Sequence, residues 1–189
     1  HGTKPEPIVH RDLKPGNILL DKNYVSKIGD VGFAKLISDL APDGFTEYRD
    51  DTVIAGTMYY MDPEYQLTGT VRPKSDLFAL GIIILQLLTG KRPQGLILST
   101  EEAIRKGTFP EILDVSLNDW PIAEAEMLAK LGLHCTALRC RNRPDLEQVV
   151  LPELENVLSR VTSSWKFESP KAVVPSHFIC PISQVKFST

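Results

Sequence analysis

The sequence is short of several things, and each shortage removes a class of protein. Cysteine is scarce: Cys135, Cys140 and Cys180 are the three in 189 residues. An odd, sparse set does not frame a disulfide-rich secreted domain, and it fits free thiols in a reducing, cytoplasmic setting. Basic excess is missing too. Lys and Arg total 21 against 24 Asp and Glu, a net charge of −3, which gives no electrostatic footprint for nucleic acid or a membrane surface. Long hydrophobic runs are absent. The longest, Leu77 to Leu88, covers twelve residues and is interrupted by Gly81 and Gln86. A bilayer span needs about 20 apolar residues, so this stretch reads as a buried core helix. The N-terminus has no charged start followed by an apolar stretch, the pattern of a signal peptide.

What is present is ordinary globular composition, 42% hydrophobic and 24% charged, with length for one domain or one domain and a tail. A chain of this size can bury roughly 70% of its unfolded surface. Proline is frequent, at 14 residues, which implies many punctuated turns. The chain starts at His1 without an initiator methionine, which reads as a fragment or a processed product.

The local patterns are specific. Ile18-Leu19-Leu20 and Val25 to Ile28 flank Asp21-Lys22-Asn23-Tyr24 and predict a β-hairpin. Residues 35–70 lack a sustained period and read as a long irregular segment, usually a functional one. Helices are expected from about Pro73 to Thr89, ending at Gly90; from a Ser99–Glu102 capping box to Gly107; from a cap at Asp119; and from about Asp145 to Val161, with Pro152 kinking or restarting the last. Leu128, Leu131, Cys135 and Leu138 fall on one helical face. Residues 162–174 read as a linker and 175–189 as a separate short piece.

One motif carries chemistry. His10-Arg11-Asp12-Leu13-Lys14-Pro15-Gly16-Asn17 is followed, thirteen residues after Asn17, by Asp30-Val31-Gly32. The first pattern matches the catalytic loop H-R-D-L-x-x-x-N of protein kinases. Phosphoryl transfer is stabilised by positioning and cations, so Asp12 would accept the substrate hydroxyl proton. Asn17 and Asp30 would offer oxygen ligands to Mg²⁺, and Lys14 would place charge near the transferred phosphoryl group. The bland alternative is a polar turn with aspartates capping local amides.

On these residues the chain resembles the C-terminal lobe of a eukaryotic protein kinase, and Lys14 is similar to the serine/threonine class. The resemblance implies a mainly α fold, the helical lobe with a short β-hairpin and the N-lobe absent, spanning residues 1–161. It implies ATP and Mg²⁺ as cofactors and a protein as substrate. Gly56 to Tyr65 looks like the substrate-facing end of the activation segment, with Asp62-Pro63-Glu64 where the family has A-P-E. There Glu64 would pair with Arg143, and Asp76 would hold the catalytic-loop backbone. Arg11 would pair with a phosphorylated residue of the segment, Thr52 first, then Thr46 and Ser38, although any exposed threonine looks like a phosphosite. Thr57 would hydrogen-bond Asp12 and Lys14. Leu19 would line the adenine site, or be a plain buried strand residue.

Lys4-Pro5-Glu6-Pro7, Asp30-Val31-Gly32, Val150 to Leu154 and the tail Pro175 to Ile182 narrow the resemblance to plant receptor-like cytoplasmic kinases with a C-terminal U-box. Residues 175–189 resemble the start of that ubiquitin-ligase domain, the zinc-free relative of RING, cut short. A complete U-box would take an E2 enzyme as partner. His134, Cys135, Cys140 and Cys180 lack the paired spacing of a zinc site, so no zinc is expected. The glycine loop and strand lysine of a kinase do not occur within the chain, so the 189 residues alone are expected to be inactive. Three readings follow: kinase, E3 ubiquitin ligase, or a non-catalytic kinase-like scaffold.

Overall fold

The computed structural model describes residues 7–36, 48–49, 54–116 and 121–164. They form a mostly helical body with a few two- and three-residue strands. The centre is α2 (Ser75–Thr89). Leu77, Phe78, Ala79, Ile82, Ile83, Ile84, Leu85 and Leu88 are all buried, which places apolar side chains around most of the circumference and leaves only a narrow strip at Leu87 open to solvent. Gly90 ends it in the left-handed region at φ 65°, a conformation that favours glycine.

Helix α4 (Ile122–Cys135) lies against α2 at two glycines. A Cβ on Gly81 would stand 2.5 Å from the Gly132 carbonyl oxygen, so the helices touch backbone to backbone. Around this contact Leu85, Leu88, Leu96, Phe109, Ala125 and Ala129 form the larger core, and Leu77, Leu131, Cys135 and Val150 a second. Leu128 leans on the first of these, while Leu138 is 72% exposed. The expected single face therefore breaks at its end, because α4 stops at Cys135 and residue 138 has left the helix.

Helix α3 spans Leu96–Lys106, so Ser99 sits inside it rather than capping it. Gly95 is left-handed at φ 68° and sets the entry, burial of Leu96 draws the first turn inward, and the Ser99 hydroxyl donates to the Leu96 carbonyl at 3.0 Å. Asp119 lies outside the described residues. In the last helical run Asp145 accepts from the Glu147 and Gln148 amides. A wide turn, Leu146–Val150, precedes α5 (Leu151–Ser164). Pro152 has no N–H to donate back into that turn, and the helix restarts there. It runs three residues past its expected end, into the segment read as linker.

The strands serve the loops. β1 (Ile8–Val9) pairs antiparallel with β4 (Lys35–Leu36). β2 (Ile18–Leu20) and β3 (Ser26–Ile28) make the expected hairpin, with Leu19 opposite Lys27. β5 (Tyr48–Arg49) pairs with β6 (Thr70–Val71). Inside the stretch read as irregular, α1 (Pro63–Thr68) is a short helix, with Asp62 capping it and proline in the first turn; six residues are too few to show a period. Among the described residues no helix is long and apolar enough to cross a membrane.

Candidate active site

The loop from His10 to Asn17 hangs between β1 and β2 and is fixed from below. Asp76, in the first turn of α2 and 6% exposed, accepts from the His10 amide at 2.7 Å and the Arg11 amide at 2.9 Å. Burial pushes the Asp76 carboxyl up from its ordinary value, against the pull of those two amides. Arg11 holds a left-handed backbone at φ 73°, a strained conformation for a residue with a Cβ. The chain turns sharply there and delivers Asp12 inward.

Asp12 is 4% exposed and its carboxylate is surrounded by donors. The Thr57 amide and hydroxyl reach Oδ1 at 2.8 and 2.7 Å. Lys14 Nζ reaches Oδ2 at 2.7 Å and Asn17 Nδ2 reaches it at 3.3 Å. Lys14 also donates to the Thr57 hydroxyl at 2.9 Å, and Asn17 Nδ2 to the Asp12 carbonyl at 2.8 Å. Burial is the largest single influence on this carboxyl and works upward; the Lys14 and Thr57 bonds and the lysine charge together outweigh it and hold the pKa below the ordinary range. A carboxylate has about four lone-pair sites, and all four have donors.

Asp30 follows on a neighbouring turn, left-handed at φ 54° and exposed. Two bonds tie that turn to the loop. The Gly29 amide donates to the Asn17 carbonyl at 2.8 Å, and the His10 ring bridges the Asp12 amide (3.3 Å) and the Gly29 carbonyl (3.0 Å). The Asp12 N–H must donate, so His10 Nδ1 accepts; this network assigns the proton to Nε2, which donates to Gly29. With Asn17 Nδ2 committed to Asp12, its Oδ1 and the exposed Asp30 carboxylate are the oxygen atoms that could hold a metal ion. These are hard oxygen donors, and two of them suit Mg²⁺, which keeps other positions for water and phosphate. No cluster of three or more His, Cys, Asp or Glu able to hold a metal occurs among the described residues.

The remaining expected residues sort differently. Leu19 is 53% exposed, which removes the buried-strand alternative. Thr52, Thr46 and Ser38 lie outside the described residues. The expected Glu64–Arg143 pair is replaced by two other pairs. Arg143, whose side chain is fully buried, bonds Asp62. Glu64 bonds Arg72 and accepts from the Cys140 amide at 2.6 Å. The reason is the start of α1: Asp62 as its cap faces into the body toward Arg143 and the Ser75 hydroxyl (2.8 Å). Glu64, two residues on, is turned toward the surface. The Cys140 amide chiefly, then Arg72, depress the Glu64 pKa, against burial and the Asp62 charge.

Sequence reasoning missed the bridging of His10, the Asp62 anchor and Tyr65. The position of His10 inside the motif signalled the first; nothing local signalled the other two. Gly56 is a further hidden requirement: at φ 131°, a Cβ there would lie 2.6 Å from the Arg11 carbonyl oxygen. Only glycine lets the Thr57 segment pass this close to the loop.

Residues 2–152 match the family model described as protein kinase domain. The chain belongs to the protein kinase family. Its relatives include U-box domain-containing protein 34 of Arabidopsis thaliana, 58% identical over 182 residues, covering 96% of this chain and 23% of that protein. U-box domain-containing protein 51 of the same plant is 46% identical, covering 97% and 24%. U-box domain-containing protein 57 of Oryza sativa subsp. japonica is 38% identical, covering 97% and 35%. This kinase-family chain thus spans about a quarter to a third of the length of these relatives, and the similarity extends past α5 into the tail.

Proposed function

We propose that this chain contributes the catalytic loop of a serine/threonine protein kinase, which transfers the γ-phosphoryl group of ATP to a protein hydroxyl. The observation that carries the reading is the Asp12 carboxylate gripped by Thr57, Lys14 and Asn17. Asn17 and Asp30 would hold Mg²⁺, which when bound neutralises phosphate charge. The incoming hydroxyl displaces one of the four donors on Asp12, and the longest bond, from Asn17 at 3.3 Å, is the easiest to give up. With its pKa held low, Asp12 orients the hydroxyl first and takes its proton late, once bond formation has made it acidic. Lys14 Nζ, between Asp12 and Thr57, supplies positive charge where the phosphoryl oxygens develop it. Half-exposed Leu19 offers an apolar floor for the adenine ring. Arg11 beside the activation segment suits a phosphorylated Thr52, and the reading places the protein in the cytoplasm. Labelled ATP, Mg²⁺ and a protein acceptor with the complete natural polypeptide test it; label on serine or threonine is expected, and label confined to tyrosine or absent would refute it.

The 189 residues by themselves are proposed to be inactive, since the glycine loop and strand lysine that cover a nucleotide do not occur within them. Transfer by this polypeptide alone that Asp12→Ala abolishes would overturn that. A second reading, E3 ubiquitin ligation with an E2 partner, draws on the tail motif at Pro175–Ile182 and on the U-box in the relatives' names. Ubiquitin discharge from a panel of charged E2 enzymes by the complete polypeptide tests it, and no discharge with any of them would count against it.

A further inference from the structure

Tyr65 stands at a junction that the chemistry above does not use. It sits in α1, 3% exposed, in a cluster with Val9, Met61 and Val71. Its ring fills that cluster, and its hydroxyl oxygen reaches past it. The oxygen accepts from Arg11 Nη2 at 2.7 Å and from the Ala55 amide at 3.1 Å. The Arg11 guanidinium also lies 5.6 Å from the ring centroid. The two donors belong to the two chain segments that close on Asp12 from opposite sides. Arg11 precedes Asp12. Ala55 precedes Gly56, where the segment passes 2.6 Å, Cβ to oxygen, from the Arg11 carbonyl, and then Thr57, whose amide and hydroxyl hold Asp12 Oδ1.

We propose that Tyr65 is a positioning residue: its phenol oxygen clamps the Arg11 and Ala55 segments together and so sets the register of Thr57 on Asp12. The hydroxyl accepts two part-buried bonds at once, and its loss takes one bond from each of the two segments it joins. The clamp acts through Thr57 and Asp12 and touches no nucleotide, so its loss falls on the chemical step rather than on ATP binding. A displacement of about 1 Å at a reacting group is enough to lower a rate roughly 100-fold. The kinetic part of this inference rests on the kinase reading; the geometric part does not.

The test is Tyr65→Phe in the complete natural polypeptide, which keeps the ring in its cluster and removes the oxygen. Two measurements are made. Amide hydrogen exchange is expected to lose protection at Ala55 and Thr57, while the His10 and Arg11 amides, held by Asp76, keep theirs. Phosphoryl transfer is expected to lose kcat by roughly 10- to 100-fold with KM for ATP within about twofold. Val71→Ala is the control: it opens the same cluster without touching the hydroxyl, and should lower Tm while leaving kcat intact well below that temperature. Unchanged exchange at Ala55 and Thr57, or kcat within twofold of the parent, overturns the proposal. So does an equal kcat loss in Val71→Ala, which would mean that stability alone is responsible. If the parent itself transfers no phosphate, the kinase reading fails, and the exchange measurement still decides the clamp.

Discussion

Replacing Arg143 with methionine keeps the length of the side chain and removes its charge and its forked donors. In the structure those donors reach the Ala137 carbonyl (2.9 Å), the Lys74 carbonyl (3.0 Å), the Leu138 carbonyl (3.3 Å) and the Asp62 carboxylate. The guanidinium also stacks 5.3 Å from the Phe78 ring centroid. At 2% exposure for the residue, water cannot replace what is lost. Asp62 keeps the Ser75 hydroxyl and the Glu64 amide but becomes a buried charge without a counter-ion. Removing one partner of such a pair costs about 3–5 kcal/mol. For a domain of this size that is a Tm loss of roughly 6–20 °C. Urea unfolding of Arg143→Met, Asp62→Asn, Glu64→Gln and the two double variants with Arg143→Met measures the pairing directly. The Asp62–Arg143 coupling should be roughly 2–3 kcal/mol and the Glu64–Arg143 coupling below about 0.5 kcal/mol. The reverse ranking would restore the pairing expected from the family pattern and refute the role given to Asp62.

Gly81→Ala drives a methyl group to 2.5 Å from the Gly132 carbonyl oxygen and 2.9 Å from the Cys135 Cβ, so α2 and α4 must separate; a loss of about 1–3 kcal/mol is expected in urea unfolding. The Glu64 carboxyl sits below its ordinary 4.5 in the folded chain. Its contribution to stability is therefore complete above pH 4.5 and disappears as pH falls through the lower folded value, and Glu64→Gln should flatten that part of the acid-unfolding curve. Burial raises the Cys135 thiol to about 11 from 9.0. Native Cys135 should resist alkylation at pH 8 until the chain unfolds, and its stabilising effect, full below pH 9, should fade as pH rises toward 11.

Legibility in the sequence followed the distance over which each feature is decided. The catalytic loop is contiguous, and its internal bonds, Lys14 to Asp12 and Asn17 to Asp12, need only local turns. The central helix is equally local, because its apolar residues cover most of its circumference. The ends of elements were harder. A capping-box spacing at Ser99 looks the same whether or not Gly95 has already turned the chain, and Leu138 keeps helical spacing after the helix has stopped. Hardest were the long-range pairings. Whether Asp62 or Glu64 meets Arg143 depends on which one caps α1, and Tyr65 gains meaning only when residues 11 and 55 are brought to its oxygen. Neither is written in the spacing of the residues concerned.

The most direct test of the central claim is phosphoryl transfer by the complete polypeptide carrying Asp12→Asn, which keeps the shape of the side chain and removes the carboxylate that Thr57 and Lys14 grip. The account predicts a fall in kcat of roughly 100-fold or more, with the unfolding transition still cooperative. Transfer at the parent rate would contradict it.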